Sequence, residues 1–164
     1  MEMIAYALTA FLSRLIPHLP NMTGMGAMAL MGGRRFGFEK AAVLVIISML
    51  ISDLIYGFHS SMWAVYGSLL IAAAIGKSIK RSGVSVLIGA SIFSSLIFFL
   101  FTNFAVWASA SSLYPHTIAG LIECYSAGIP FFRNTLIGDV IYLGVFSALS
   151  YLWDSRLAVV FHKS

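Results

Sequence analysis

The sequence predicts an all-α, polytopic membrane protein of about six spanning helices with both termini cytoplasmic. Three observations lead there. The chain is 60% hydrophobic and only 10% charged, with a mean hydropathy of +0.93. A water-soluble domain carries about 25% charged residues, so this chain has too little polar surface to cover itself in water. Its apolar residues fall into successive segments close to the length a bilayer demands, and its basic residues collect on one side of those segments.

A spanning helix needs about 20 mostly apolar residues. Segment 2–16 is the first. Glu2 precedes it and no basic run does, so it reads as a retained helix and not a cleaved signal. Its Ala5, Ala7 and Ala10 suit close packing within the fold or against a partner. Segment 22–36 includes the run Thr-Gly-Met-Gly-Ala-Met-Ala-Leu-Met-Gly-Gly. It is either a short span or a re-entrant piece packed inside protein, because lipid cannot satisfy irregular backbone. Segment 40–58 is an apolar run interrupted near its end by Asp53, and segment 62–79 follows. Its Ala72 and Gly76 repeat the four-residue spacing of Ala29 and Gly33, which permits close helix approach. Segment 84–108 is long and apolar. Segment 129–153 begins at Ile129-Pro130 and holds Asp139, which pairs with a polar group of another helix or sits in a cavity floor. Residues 109–128 form the longest loop, placed to cover one face as a lid. Nothing marks a soluble domain, a linker or a repeat, so 1–164 reads as one integral membrane domain.

The chain has 10 Lys and Arg. With six spans, Arg34, Arg35, Lys40, Lys77, Lys80, Arg81, Arg156 and Lys163 share one side. Cytoplasmic loops are enriched in Lys and Arg, so that side is cytoplasmic. The net charge of +4 therefore reports loop bias and not nucleic-acid binding. Arg14 and Arg133 fall at the outer ends of helices. The outer side also gathers His18, Asp53, His59, Trp63, Tyr66, Asn103, Trp107, Tyr114, His116, Glu123, Cys124, Tyr125 and Asn134.

An ionisable group inside a span usually faces a partner or a wet cavity. Asp53 accordingly has Arg14, Arg133 or His59 as candidate partners, either in a structural ion pair or around a ligand. Arg133 suits bidentate capture of a carboxylate or phosphate. Asn103, inside a span, bonds either across helices or to a ligand. Trp63, Tyr66, Trp107, Tyr114 and Tyr125 form either an interfacial belt or aromatic walls of a pocket. His18, His59, His116 and Cys124 have metal-ligand chemistry, but no two have close ligand spacing, so no metal site or other cofactor is assigned. The single cysteine excludes an internal disulfide. P-loop, HExxH, GxSxG and paired-carboxylate motifs are absent from the sequence, so it predicts no enzyme and no ATP site of its own.

A resemblance joins these residues. The runs Arg14-Leu-Ile-Pro-His-Leu-Pro-Asn-Met-Thr, Gly26-Ala-Met-Ala-Leu-Met-Gly-Gly, Ser52-Asp-Leu-Ile-Tyr-Gly-Phe-His, Thr102-Asn-Phe-Ala-Val-Trp, Gly120-Leu-Ile-Glu-Cys-Tyr and Ile129-Pro-Phe-Phe-Arg-Asn-Thr-Leu-Ile-Gly-Asp resemble a bacterial membrane family of unknown function, described as transport proteins. That family's size and topology are similar to the S components of energy-coupling factor (ECF) vitamin transporters. The resemblance implies a six-helix bundle in the bacterial cytoplasmic (inner) membrane, an outward pocket capped by loops, and a separate energising ATPase and transmembrane module. The order His18, Asp53, Tyr66, Arg133 loosely resembles cobalamin-type S components, but no cysteine stands near the fourth span, where a cobalt-contacting one is expected.

The leading expectation is an S-component-like subunit that takes up a small nutrient, such as a vitamin. His18, Asp53, His59, Asn103, Arg133 and Asn134 would supply polar contacts, with Trp63, Tyr66, Trp107 and Tyr125 as walls. The alternatives are a structural scaffold subunit of cell-envelope machinery, which needs no ligand, and a membrane enzyme built on the histidines and Glu123.

Overall fold

The computed structural model describes residues 1–161. The C-terminal basic residues Arg156 and Lys163 lie outside the side chains it describes. The described chain is all helical. The elements are α1 (Glu2–Leu15), α2 (Met25–Phe36), α3 (Phe38–Tyr56), α4 (Met62–Ser78), α5 (Val84–Ala108) and α6 (Ile118–Phe161). α1, α3, α4 and α5 match the expected segments to within two residues at each end.

One segment takes the second of its two expected readings, and another differs from expectation. α2 is 12 residues long, or about 18 Å at 1.5 Å per residue, too short to cross an apolar layer of about 30 Å. It is a buried helix packed against all five others, with Met25 and Ala27 through Gly33 out of contact with solvent. α6 starts at Ile118, not at 129, so the loop narrows to 109–117. Gly128 and Pro130 read as a boundary, yet Pro130 sits inside the helix. Proline removes one backbone donor, and here the turns on either side continue without it.

α2 sits at the centre because its small residues let neighbours approach to backbone contact. A Cβ on Gly33 would collide with the Ala73 carbonyl oxygen, and one on Gly76 with that of Leu30. The paired small residues Ala29–Gly33 and Ala72–Gly76 thus join α2 to α4 within the fold. Tyr6 of α1 completes the core beside them. Its ring meets Phe36 at 5.1 Å and Phe146 at 4.7 Å. Its hydroxyl donates to the Phe146 carbonyl at 3.1 Å and lies 2.6 Å from Ser150 Oγ.

Polar clusters mark the two ends of the bundle. At one end Arg35 pairs with Glu2 at 3.0 Å and with Asp154, and Arg34 donates to the Ser82 carbonyl at 2.8 Å. These contacts bring together the start of α1, the end of α2, the approach to α5 and the C-terminal part of α6. At the other end Arg14, Asp53 and Tyr66 join the end of α1, the end of α3 and the start of α4.

Among the described residues, α5 and α6 are the two helices long and apolar enough to cross a membrane. Their outer faces, and that of α3, expose large apolar residues such as Ile46, Leu50, Leu54, Phe93, Leu100, Val140 and Ile141. Apolar surface that extensive requires lipid or protein against it.

Candidate functional site

The site begins where α2 begins. A helix N-terminus leaves its first backbone N–H groups without helical partners, and that of α2 is held inside the bundle. Gly24 N–H donates to Ser13 Oγ at 2.8 Å. α6 brings the carboxyl of Asp139 across to this N-terminus. Asp139 lies so close to α2 that a Cβ on Gly26 would stand 2.6 Å from its Oδ1. Ser95 Oγ of α5 is 2.6 Å from Asp139 Oδ2 and 2.9 Å from the Ser91 carbonyl. The single Ser95 hydroxyl hydrogen faces both acceptors, with the Asp139 carboxylate the nearer. Asp139 is 4% exposed.

Most buried hydroxyls here are satisfied by their own helix. Ser68 donates to Ala64 O at 2.6 Å, Thr102 to Phe98 O at 2.7 Å and Thr135 to Phe131 O at 3.0 Å. Ser94 differs. It is 7% exposed, and its Oγ has no hydrogen-bond partner among the described residues.

The wall formed by α1 and α3 carries an ion pair. Arg14 Nη2 is 2.9 Å from Asp53 Oδ1, and Tyr66 donates to Asp53 Oδ2 at 2.8 Å. Asp53 is 1% exposed, so its polar contacts are those of this network. Tyr56 donates to the Arg14 carbonyl at 2.6 Å and fixes the backbone there. The opposite wall is the α5–α6 contact. Asn103 Nδ2 donates to Phe99 O at 2.8 Å, and its Oδ1 lies where a Cβ on Gly128 would be. Cys124 is buried and donates to Asn103 O at 3.4 Å.

Between these walls lies a cavity of about 640 Å³. Met25, Gly26, Ser68, Ala72, Ser94, Ser95 and Asp139 line its buried part, and His18, Pro20, Asn21 and His59 its exposed edge. α2 leaves room for it by starting low. From the shared basic end α5 runs 25 residues, about 37 Å, while α2 covers about half that length.

Of the residues expected to bind, His18, His59 and Asn103 line the cavity. Asp53 and Tyr66 stand behind the wall and act on it through Arg14. The others are elsewhere. Trp63 is 57% exposed on α4. Trp107 Nε1 donates to Pro115 O at 2.9 Å, and its ring meets His116 edge-on at 5.6 Å, so it fastens the 109–117 loop. Tyr125 donates to Leu100 O at 2.8 Å and Asn134 to Pro20 O at 3.1 Å, both tying segments together. Arg133 is exposed and outside the lining. Sequence reasoning placed Asp139 against a polar group of another helix or in a cavity floor, but not among the site residues, and it missed Ser94 and Ser95. Its one available signal was an acid, Asp139, within an apolar run.

No curated protein and no solved structure matches the chain. A family model matches residues 1–160, nearly the whole sequence. The chain belongs to DUF6580, a family of unknown function.

Proposed function

We propose that this chain is a multi-pass protein of the bacterial cytoplasmic membrane. It binds a small nutrient in an outward-facing cavity, in the manner of an ECF S component, and passes it inward with a separate energising ATPase and transmembrane module. The observation that carries this reading is the cavity of about 640 Å³ above the N-terminus of α2. Small-molecule sites run from about 300 to 1,000 Å³ and combine apolar walls with a few polar groups. Here Phe98, Phe131, Leu69 and Met49 supply the walls, and Arg14, Asn103, Ser94 and Asp139 the polar groups.

Orientation follows from charge. Arg34, Arg35, Lys40, Lys77, Lys80 and Arg81 cluster at the ends and loops opposite the cavity, and basic loops favour the cytoplasm. α5 and α6 span. α3 and α4, about 28 and 25 Å long, complete the bundle; α1 rises from the basic end and α2 returns to it, so both termini are cytoplasmic. The sequence has no nucleotide-binding motif, so energy for uptake comes from a partner, and the chain itself is a binding subunit and no enzyme. A packing scaffold has no use for such a cavity, which favours binding over scaffolding.

The test is equilibrium binding by the detergent-solubilised chain, offered a panel of radiolabelled vitamins and amines. Saturation near one ligand per chain, abolished by Thr23→Trp in the cavity lining, supports the reading. Absence of binding across the panel contradicts it.

A further inference from the structure

We propose that the cavity's ligand carries a cationic nitrogen, and that it docks this group on Asp139 and Ser94 while its apolar body lies against the aromatic wall. The inference rests on the binding role proposed above and names the ligand's chemical class.

Charge accounting leads to it. Asp139 is the one carboxylate lining the cavity among the described residues. The ion pairs among those residues are Arg14–Asp53, Arg35–Glu2 and Arg35–Asp154, so none neutralises Asp139. Arg14 lines the same cavity, but its charge is matched by Asp53 at 2.9 Å. The α2 N-terminus adds about half a positive charge, which offsets only part of a full negative one. His18 and His59 stand at the exposed edge, bonded to Ile16 O and Ser61 Oγ. The buried part therefore carries a net negative charge enclosed by low-dielectric walls, where an opposite charge is drawn most strongly.

Hydrogen bonding points the same way. Ser95 gives Asp139 one donor, while an ionised carboxyl has about four acceptor sites. Ser94 adds a buried hydroxyl with no partner, and buried hydroxyls are normally paired. An ammonium group has three donors and no acceptor. It can give one hydrogen to Asp139 and another to the Ser94 oxygen, so that each gains a partner. An anionic headgroup would face Asp139 with like charge.

Three ligands of one shape separate charge from fit: tryptamine (cation), tryptophol (neutral) and indole-3-acetate (anion). Their affinities are measured by calorimetry on the wild-type chain in detergent. Tryptamine is expected to bind at least about tenfold tighter than tryptophol, with indole-3-acetate weakest. Asp139→Asn should reduce that preference below about threefold, and Ser94→Ala should weaken tryptamine about fivefold. The wild-type comparison stands even where Asp139→Asn fails to fold. Equal or tighter binding of the neutral or anionic member, or a preference that survives in Asp139→Asn, overturns the inference and leaves the cavity's binding role intact. Failure of all three overturns the inference as well, and the binding role itself falls only if the wider panel also fails to bind.

Discussion

Arg14 and Asp53 form an ion pair 2.9 Å long that ties the end of α1 to the end of α3 and forms one wall of the cavity. The pair is nearly closed to solvent on the Asp53 side and carries a third bond from Tyr66. Removing one partner of a buried pair strands the other charge, at a cost of about 3 kcal/mol. Arg14→Met and Asp53→Asn are each expected to lower thermal stability in detergent by about that amount. The double variant should lose clearly less than the sum, because neither charge is then stranded. Additive losses would show that the two residues act separately.

Gly33 and Gly76 set the α2–α4 contact, and a side chain at either would meet backbone that cannot yield. Gly33→Ala and Gly76→Ala should each cost about 3 kcal/mol, at the upper end of overpacking. Gly67 and Gly89 are also helical, but a Cβ at either meets nothing within 4 Å. Gly67→Ala and Gly89→Ala should be neutral or stabilising by up to about 1 kcal/mol. The contrast is read by thermal unfolding of all four variants under one condition.

Orientation is open to chemical labelling. In a Cys124→Ser background, Ser60→Cys places a thiol in the loop before α4, and Lys80→Cys places one in the loop before α5. A membrane-impermeant maleimide should label the Ser60→Cys variant in intact spheroplasts and the Lys80→Cys variant only after lysis. The reverse pattern would turn the cavity to the cytoplasm.

Polar and aromatic residues that stand off the cavity should not affect ligand capture. Arg133→Ala should leave it unchanged. Trp107→Phe loses the bond to Pro115 O and should cost about 1 kcal/mol of stability, again without altering capture. Loss of binding in either variant would move the site toward the 109–117 loop.

These outcomes separate what the sequence carries plainly from what it hides. α1, α3, α4 and α5 are legible because each is a continuous apolar run with loop residues at its ends. The gathering of Arg34, Arg35, Lys77, Lys80 and Arg81 at one end is legible for the same reason, since loop charges are counted directly. The start of α6 is not, because Gly128 and Pro130 look like a break, while only the folded bundle shows the helix continuing through them. The burial of α2 is legible only as one of two readings, because its small residues suit a short span or a packed piece alike, and its packing against all its neighbours decides between them. At the site, Asp53 and Arg14 stand out as charges within or beside apolar runs, although which basic residue Asp53 would choose was open. Ser94 and Ser95 do not stand out, because a serine in an apolar helix usually bonds its own backbone. Only the structure shows that Ser95 turns to Asp139 and that Ser94 is left without a partner. Trp63 and Arg133 mislead in the opposite direction: they have the chemistry of a pocket but sit on the outer surface.

The most direct test of the central claim is native mass spectrometry of the gently extracted wild-type chain beside Thr23→Trp and Arg133→Ala. The expected result is a small-molecule adduct on the wild type and on Arg133→Ala that is absent from Thr23→Trp, where the cavity is filled. A wild type that stays bare after vitamins and amines are supplied, or an adduct that persists in Thr23→Trp, would contradict a binding role for this cavity.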